Sequence, residues 1–373
     1  GKKLTVIAWL WARTVPSPNP ALGGVHVPLT TSFAVSTKPG KETILIPHID
    51  ASSGNYTFNV KSKNISKREF DEAKKGTKTG KRANFSCIIS GTPIPTKYIK
   101  DQAKNENMGK TLLCIVAHGS KRRIYLPPTE EHQEISEGSQ PSYYPEAELA
   151  QEARYMTPIL YGFSKFSDLF LKRQLVALNT FSDSLRNLAN ENVQFTEYFD
   201  ILSTYMALAI GRASDAWSAQ VGWRNSVEAT RGTFARQALA MTWDFAEANP
   251  FSDQCGNWED ACVSWIAKAV ENLPADGIGY ITQQDARTSH SLANDKVLST
   301  DPPYYDNVGY ADLADYFYVW LRPCVDKVYP DLVRTLNTPK KSEIVAYKQA
   351  AGTDTTPENY FLQSMGQVLV VLP

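Results

Sequence analysis

The sequence predicts an α/β protein whose chemistry sits at the end of a strand, and three observations carry that expectation. Short apolar runs broken by Pro and Gly fill the first sixty residues. Helical spacing of apolar residues takes over from Ser167. Near the carboxyl end, a short apolar run stops on Asp301-Pro302-Pro303-Tyr304, and a second helical stretch follows at once. Three units are expected: a β-rich unit over 1–145, a helical segment over 146–250, and an α/β core over 251–373.

In the first unit, "LTVIAWLW", "HVPLTTSFAVS", "ETILIPHI" and "YTFNV" read as strands separated by turns. Residues 61–82 carry nine Lys or Arg against three acids. They read as a solvated loop, with a phosphate-contacting patch as the alternative. Strand signals resume in "NFSCIIS", "TLLCIVAHG" and "RRIYLPP". From Thr129 to Glu152 there are seven Glu and no Lys or Arg, which reads as an acidic surface linker.

Beyond the linker, Leu169, Phe170, Leu175, Leu178, Phe181 and Leu185 fall at roughly helical spacing, with Ser167 or Asp168 available as cap. "FDILSTYMALAIGRASDAWS" predicts a second helix. "NWEDACVSWIAKAVENL" predicts a third, capped by Asn257, with Cys262, Trp265, Ile266, Ala269 and Val270 on one face. Strands are expected over 277–286 and 295–300, the second running into the Asp-Pro-Pro-Tyr motif, and a helix over "YADLADYFYVWLRP". That order places chemistry at the carboxyl ends of strands.

Composition narrows the function classes. The formal net charge of the 373 residues is zero, so any contact with nucleic acid has to come from local clusters. Five cysteines without a CxxC pair suggest reduced thiols and a cytoplasmic setting. No apolar run approaches the roughly 20 residues of a membrane span, and no secretory leader is visible. A chain opening on Gly1 reads as part of something longer.

The motif itself has a chemical logic. Two adjacent prolines fix their φ angles and supply carbonyls without amide donors. The loop is then rigid and presents two acceptors, the Asp301 carboxylate and the Pro302 carbonyl, with Tyr304 beside them. An exocyclic amino group on a planar base has two N–H donors and a ring to stack, and it matches that set. Accepting both hydrogens leaves the amino nitrogen readier to attack an electrophilic methyl group. A base inside a duplex is out of reach, so the target is flipped out or single-stranded. The alternative is a plain Pro-Pro turn after a strand.

"DPPY" resembles the catalytic loop of amino-group DNA methyltransferases, which use S-adenosylmethionine. "TDPPYYDNVGYADLADYFYVWL" is similar to one group among them, the adenine-specific DNA methylases with a zinc-ribbon insertion, some found with phage-defence and restriction-modification genes. "IAWLWARTVPSPNPALGGVHVPL", "IPTKYI", "YLPPTEEH", "LYGFSKFSDLFLKRQLVAL" and "RGTFARQALAMTWDFAEANPFS" resemble its recurring segments. The resemblance implies part of a Rossmann-like methyltransferase sheet, with a β-rich insertion holding a degenerate zinc ribbon and a helical middle segment. It implies adenine N6 as target and DNA as partner. Asp301, Pro302, Pro303 and Tyr304 would be catalytic, Tyr305, Asp306 and Asn307 would line the base pocket, and Asp285 would contact the cofactor. A strand-terminal Asp285 also reads as a turn former or helix cap.

Two departures stand beside the resemblance. Where such relatives place four ribbon cysteines, this chain has Ser17, Leu22, Cys87 and Ser90, one thiol against the four ligands of structural zinc. His26 and His118 are the conceivable substitutes, and no bound metal is expected. No strand, Gly-rich loop and helix for a cofactor is recognisable either, so an upstream polypeptide supplying the cofactor half is expected. "EATRGTFARQ" offers Arg231 and Arg236 either to phosphate and target base or merely to the surface around a helix cap. Asp244 and Glu247 receive no role. The competing functions are a nucleic-acid-binding subunit without catalysis and an inactive truncated product.

Overall fold

The computed structural model describes residues 3–50, 54–191, 196–274, 276–288, 297, 299–306, 308–347, 352 and 355–371. In chain order the strands are β1 (Val6–Pro16), β2 (His26–Pro28), β3 (Ala34–Ser36), β4 (Thr43–Asp50), β5 (Asn55–Lys61), β6 (Phe85–Ser86), β7 (Pro93–Ile94), β8 (Gly109–His118), β9 (Arg123–Leu126), β10 (Gly222–Arg224), β11 (Ala229–Arg231) and β12 (Asp244–Ala248). The helices are α1 (Lys67–Ala73), α2 (Thr96–Lys104), α3 (Glu130–Gly138), α4 (Lys172–Glu191), α5 (Thr196–Ala216), α6 (Ser264–Asn272), α7 (Tyr310–Val325) and α8 (Pro357–Val371). The protein is mixed α/β, organised on a curled antiparallel half-barrel sheet.

That sheet runs β12-β1-β8-β9, with β2 also pairing β1. Strand β1 is central, and its near-continuous apolar run is what a strand covered on both faces requires. Leu10 and Ala12 enter one cluster with Phe33, Ile44, Leu45 and Val116, while Trp11 enters another with Leu112, Ile115 and Phe245. The β1–β8 register shifts between Leu10 and Trp11 (Leu10 faces Cys114, Trp11 faces Leu112), a bulge that leaves Leu113 as the extra residue.

Two buried ionic arrangements seal the sheet. Glu247 on β12 accepts from Trp11 Nε1 at 2.9 Å and from Arg173 Nε and an Arg173 terminal nitrogen at 2.8 and 2.9 Å. The Arg173 guanidinium lies 4.1 Å over the Trp9 ring. Arg13 is buried with carbonyls as its partners, those of Thr242 (2.8 Å) and Ala219 (3.0 Å), between the rings of Phe163 and Phe245. Burial without a carboxylate pushes its pKa down to about 9. On the partly buried Asp244, burial raises the carboxyl pKa, opposed by hydrogen bonds from Thr31 N and Oγ1.

The helical layer stacks α4, α5 and α7 around Tyr155, Phe166, Phe170, Trp217, Tyr316 and Trp320. Helix α7 buries Asp312, Leu313, Asp315, Tyr316, Val319 and Trp320, the three-and-four spacing of one face. Helix α4 starts at Lys172, later than its apolar spacing suggests, because 166–169 form a 3₁₀ turn in which Asp168 accepts from Ser164 N and Lys165 N. Asn257 does cap its helix, accepting from Asp260 N and Ala261 N, but the first turn is a π-helix over Glu259–Val263.

Several expectations are corrected. The basic stretch 61–82 is not all loop: Ser66 and Glu69 form a capping box that opens α1. Ion pairs Lys61–Glu69, Arg68–Glu72 and Lys74–Asp71 neutralise three of its cations. The acidic linker contains α3, capped by Thr129 and joined to the sheet where Trp9 Nε1 donates to His132 Nδ1 at 2.6 Å. The strand expected over 277–286 is part of no sheet, with Ile278, Tyr280 and Ile281 exposed. Of the strand expected over 295–300, residues 297, 299 and 300 are described and lie in no ladder. Trp265 and Val270, which share one face of α6, are exposed. Among the described residues every ladder between these strands is antiparallel, with one isolated parallel bridge from Met156 to Leu239, and a Rossmann-like sheet is not confirmed. No two of the five cysteines are bonded to each other, and no helix among the described residues is long and apolar enough to cross a membrane.

Candidate functional site

The site is built backwards from α7. Gly309 precedes the helix and has no side chain to cap it, so Glu343 supplies the acceptor, with Oε1 taking the Ala311 N–H at 3.2 Å. Burial raises the Glu343 carboxyl pKa. Tyr155 lies across Gly309 and donates to Asp312 Oδ2 at 2.5 Å; burial, then that bond, raises its phenol pKa. One turn on, Asp315 accepts from Thr338 N and Oγ1 and from Lys340 Nζ, tying the segment after α7 back onto the helix. Two carboxylates in the opening turns of a helix also suit its dipole.

Upstream of Gly309, the loop is gripped at two residues. Asp306 pairs with Arg154 at 3.0 Å, and its carbonyl accepts from Tyr347 OH at 3.0 Å. Arg154 also holds Glu152, a bond that raises the arginine's pKa, and stands 5.2 Å over the Tyr347 ring. Burial pushes Tyr347 up to about 12. The Tyr305 carbonyl accepts from Ala346 N at 2.9 Å, and its ring meets Phe361 edge-on at 5.1 Å. Tyr305 has φ of 26°, outside the comfortable region for a side-chain-bearing residue, and such a conformation costs about 1–3 kcal/mol. These contacts hold it there.

The motif then projects from this anchored base. Asp301 and Pro302 are exposed, Pro303 is half-buried, and Tyr304 is 52% exposed. Among the described residues Asp301 has no hydrogen-bond partner. The structure thus joins Tyr305 and Asp306 to Arg154, Tyr347 and Phe361, while Asp301 and Tyr304 face outward. Asn307 lies outside the described residues. Arg154, Tyr155, Glu343 and Tyr347 went unrecognised in the sequence, since nothing in local periodicity links residues 150 or 40 positions away to the loop.

Asp285 is not free for a ligand. Its carboxylate accepts from Arg287 Nε at 3.0 Å and from a terminal nitrogen at 2.6 Å, which lowers its pKa, and its carbonyl takes the Thr288 N–H. It is a turn former, with Arg287 reaching on to Tyr360 and Ser364 of α8.

S-adenosylmethionine, implied by the resemblance, therefore finds no matching cradle among the described residues. The acidic candidate is already bonded to arginine, and no strand, glycine-rich loop and helix is present among them.

The segment 228–237 comes close to the site. Glu228, in a left-handed turn between β10 and β11, accepts from Tyr125 OH at 3.1 Å. Asp215, its pKa raised by burial, accepts from Phe234 N at 2.9 Å. A Cβ on Gly232 would sit 2.4 Å from Asp215 Oδ2, so glycine is needed for the approach. Phe234, Arg236 and Gln237 share a hollow of about 480 Å³ with Val308, Tyr310, Leu313 and Phe317, immediately after the loop.

Three of the four ribbon positions also converge. Cys87 Sγ accepts from Ser17 Oγ at 3.3 Å and from the Ser90 N–H at 3.4 Å, while Leu22 packs in the same cluster. Burial works against the Cys87 thiolate, but the Ser17 and Ser90 hydrogen bonds outweigh it and lower the pKa. His26 is engaged with Thr14 and His118 with Asp253. Packing and hydroxyl groups surround Cys87 where the resemblance implies thiolates.

Comparison of the chain with family models, with curated proteins and with solved structures finds no match.

Proposed function

We propose that this chain is the target-base half of an S-adenosylmethionine-dependent, site-specific DNA methyltransferase acting on an exocyclic amino group, adenine N6 by preference. The observation that carries the reading is the exposed, proline-fixed Asp301-Pro302-Pro303-Tyr304 segment, standing on a loop anchored at Tyr305 and Asp306. In this reading the Asp301 carboxylate and Pro302 carbonyl accept the two amino hydrogens, and Tyr304 stacks on a base taken out of its helix. Its outward-facing ring suits an incoming planar partner. The exposed apolar side chains Ile278, Tyr280, Ile281 and Val297 are then the seam against a Rossmann-like cofactor-binding half, supplied by a further polypeptide segment.

A second reading, a subunit that holds nucleic acid without methyl transfer, is favoured by the engagement of Asp285 with Arg287. One experiment separates them. The full chain is co-expressed with its upstream coding segment and assayed for transfer of labelled methyl groups to DNA. The first reading expects transfer by the wild type, and loss of at least about a hundredfold in Asp301→Ala at nearly unchanged DNA affinity. Normal methylation by the Asp301→Ala variant sinks it, and DNA binding without any transfer favours the second.

A further inference from the structure

Two hollows meet on the flank of α7. One, about 480 Å³, is lined by Phe234, Arg236, Gln237, Val308, Tyr310 and Phe317; the other, about 430 Å³, by Arg212, Asp215, Phe234, Ile266, Phe317 and Leu321. The rings of Phe234 and Phe317 form their shared ridge, 5.2 Å apart and tilted by 35°. Either hollow has the size of a small-ligand site, and both floors are apolar. Arg236 is exposed, with no acidic partner among the described residues. Arg212 is exposed as well; its Nε donates to the Ala261 carbonyl, and its guanidinium lies 4.9 Å over the exposed Trp265 ring. Among the described residues Asp215 is the acid lining the groove; it accepts the Phe234 N–H and lies within electrostatic reach of Arg212.

An aromatic ridge between two exposed arginines suits one kind of polymer, alternating flat rings with negative charge. Bases stack on aromatic faces without regard to sequence, and phosphates meet the arginines. Position agrees: Val308 is four residues past Tyr304, so their Cα atoms are at most about 14 Å apart, roughly four base steps of DNA.

We infer that the Phe234–Phe317 groove, with Arg212 and Arg236 on its lips, holds the stretch of DNA strand beside the target base. This rests on reading the Asp301–Tyr304 loop as the target-base loop. One neighbouring base stacks on Phe234, and two phosphates meet the arginines.

The test is fluorescence anisotropy of the full chain with a labelled 20-nucleotide single strand, titrated at several salt concentrations. Arg212→Ala/Arg236→Ala changes exposed side chains, and circular dichroism checks its fold. It is expected to weaken binding at least tenfold and to flatten the plot of log affinity against log salt by about 1.4. Phe234→Ala is expected to weaken binding about tenfold at unchanged salt slope; circular dichroism checks its fold, and Phe234→Trp, which keeps the stacking face, should bind as the wild type does. Undiminished affinity and slope in the arginine variant would overturn the groove while leaving the target-base reading standing. A wild-type chain that fails to bind the strand at low salt overturns both.

Discussion

The contact between Gly309 and Tyr155 allows a quantitative test of how the candidate loop is held. An added Cβ at Gly309 would lie 2.4 Å from Tyr155 Cζ and 2.4 Å from its hydroxyl oxygen. That ring has little room to yield. It is 3% exposed, its hydroxyl is bonded to Asp312, and its face stacks on Tyr347 at 6.1 Å. Gly309→Ala must therefore displace either the ring or the start of α7. Overpacking costs about 1–3 kcal/mol, and losing a hydrogen bond to a charged group adds about 1.5–3 kcal/mol. The expected destabilisation is about 2.5–6 kcal/mol, a large part of the roughly 5–15 kcal/mol available to a folded domain. Urea unfolding followed by tryptophan fluorescence gives the number, with Trp320 in the same core as reporter. A double-mutant cycle identifies the cause: in a Tyr155→Leu background the glycine substitution should cost at least about 1 kcal/mol less. A penalty below about 0.5 kcal/mol, or strict additivity with Tyr155→Leu, would refute the steric argument.

Three further outcomes are expected. Glu247→Ala, which strands the Arg173 guanidinium and the Trp11 indole N–H, should cost about 3–5 kcal/mol in urea unfolding, whereas Glu247→Leu combined with Arg173→Met, which strands the indole N–H alone, should cost only about 1–3 kcal/mol; equal losses in both would show that the ion pair is not what matters. Asp244 has a raised pKa, so folding is penalised as pH climbs above the carboxyl's ordinary value of 3.8. Asp244→Asn removes that penalty, and its stability relative to wild type should rise between pH 4 and 7; parallel stability profiles would count against burial as the cause. Ser17→Cys, Leu22→Cys and Ser90→Cys together with Cys87 should create a four-thiolate zinc site, read as one zinc per chain by metal analysis after dialysis, and a metal-free triple variant would mean that Leu22 lies too far from the other three.

How much of this was legible in the sequence depends on the range of the contacts. Strand β1 could be read because its apolar run is long and ends at Pro16, and α7 because its apolar residues recur at helical spacing. The capping box at Ser66 and Glu69 was also visible, but the density of lysines around it drew attention to charge instead. The face of α6 was overread: periodicity reports that Trp265 and Val270 share a side, not that anything covers it. The apolar residues of 277–286 suggested a strand, yet a strand exists only when a neighbour pairs with it, and Ile281 stands 99% exposed. In the site, Asp301 to Tyr304 announced themselves as a local pattern. Arg154, Tyr155, Glu343 and Tyr347 reach the loop through tertiary contacts alone, which no single-sequence pattern records.

The pairing of β1 with β12 sets a timetable for synthesis. One edge of β1 is satisfied by β8 and its end, Thr14–Pro16, by β2, both of which emerge early, but Ala8–Ala12 wait for Asp244–Ala248, more than two hundred residues later. At about 5–20 residues per second that is roughly 12–50 s of translation. For that interval Ala8–Ala12 of the apolar strand present an open edge, and Arg13 has yet to meet the carbonyls of Ala219 and Thr242. A nascent chain in this condition is a substrate for edge-to-edge aggregation. Ribosome pauses before residue 248 should therefore lower the soluble yield more than pauses after it.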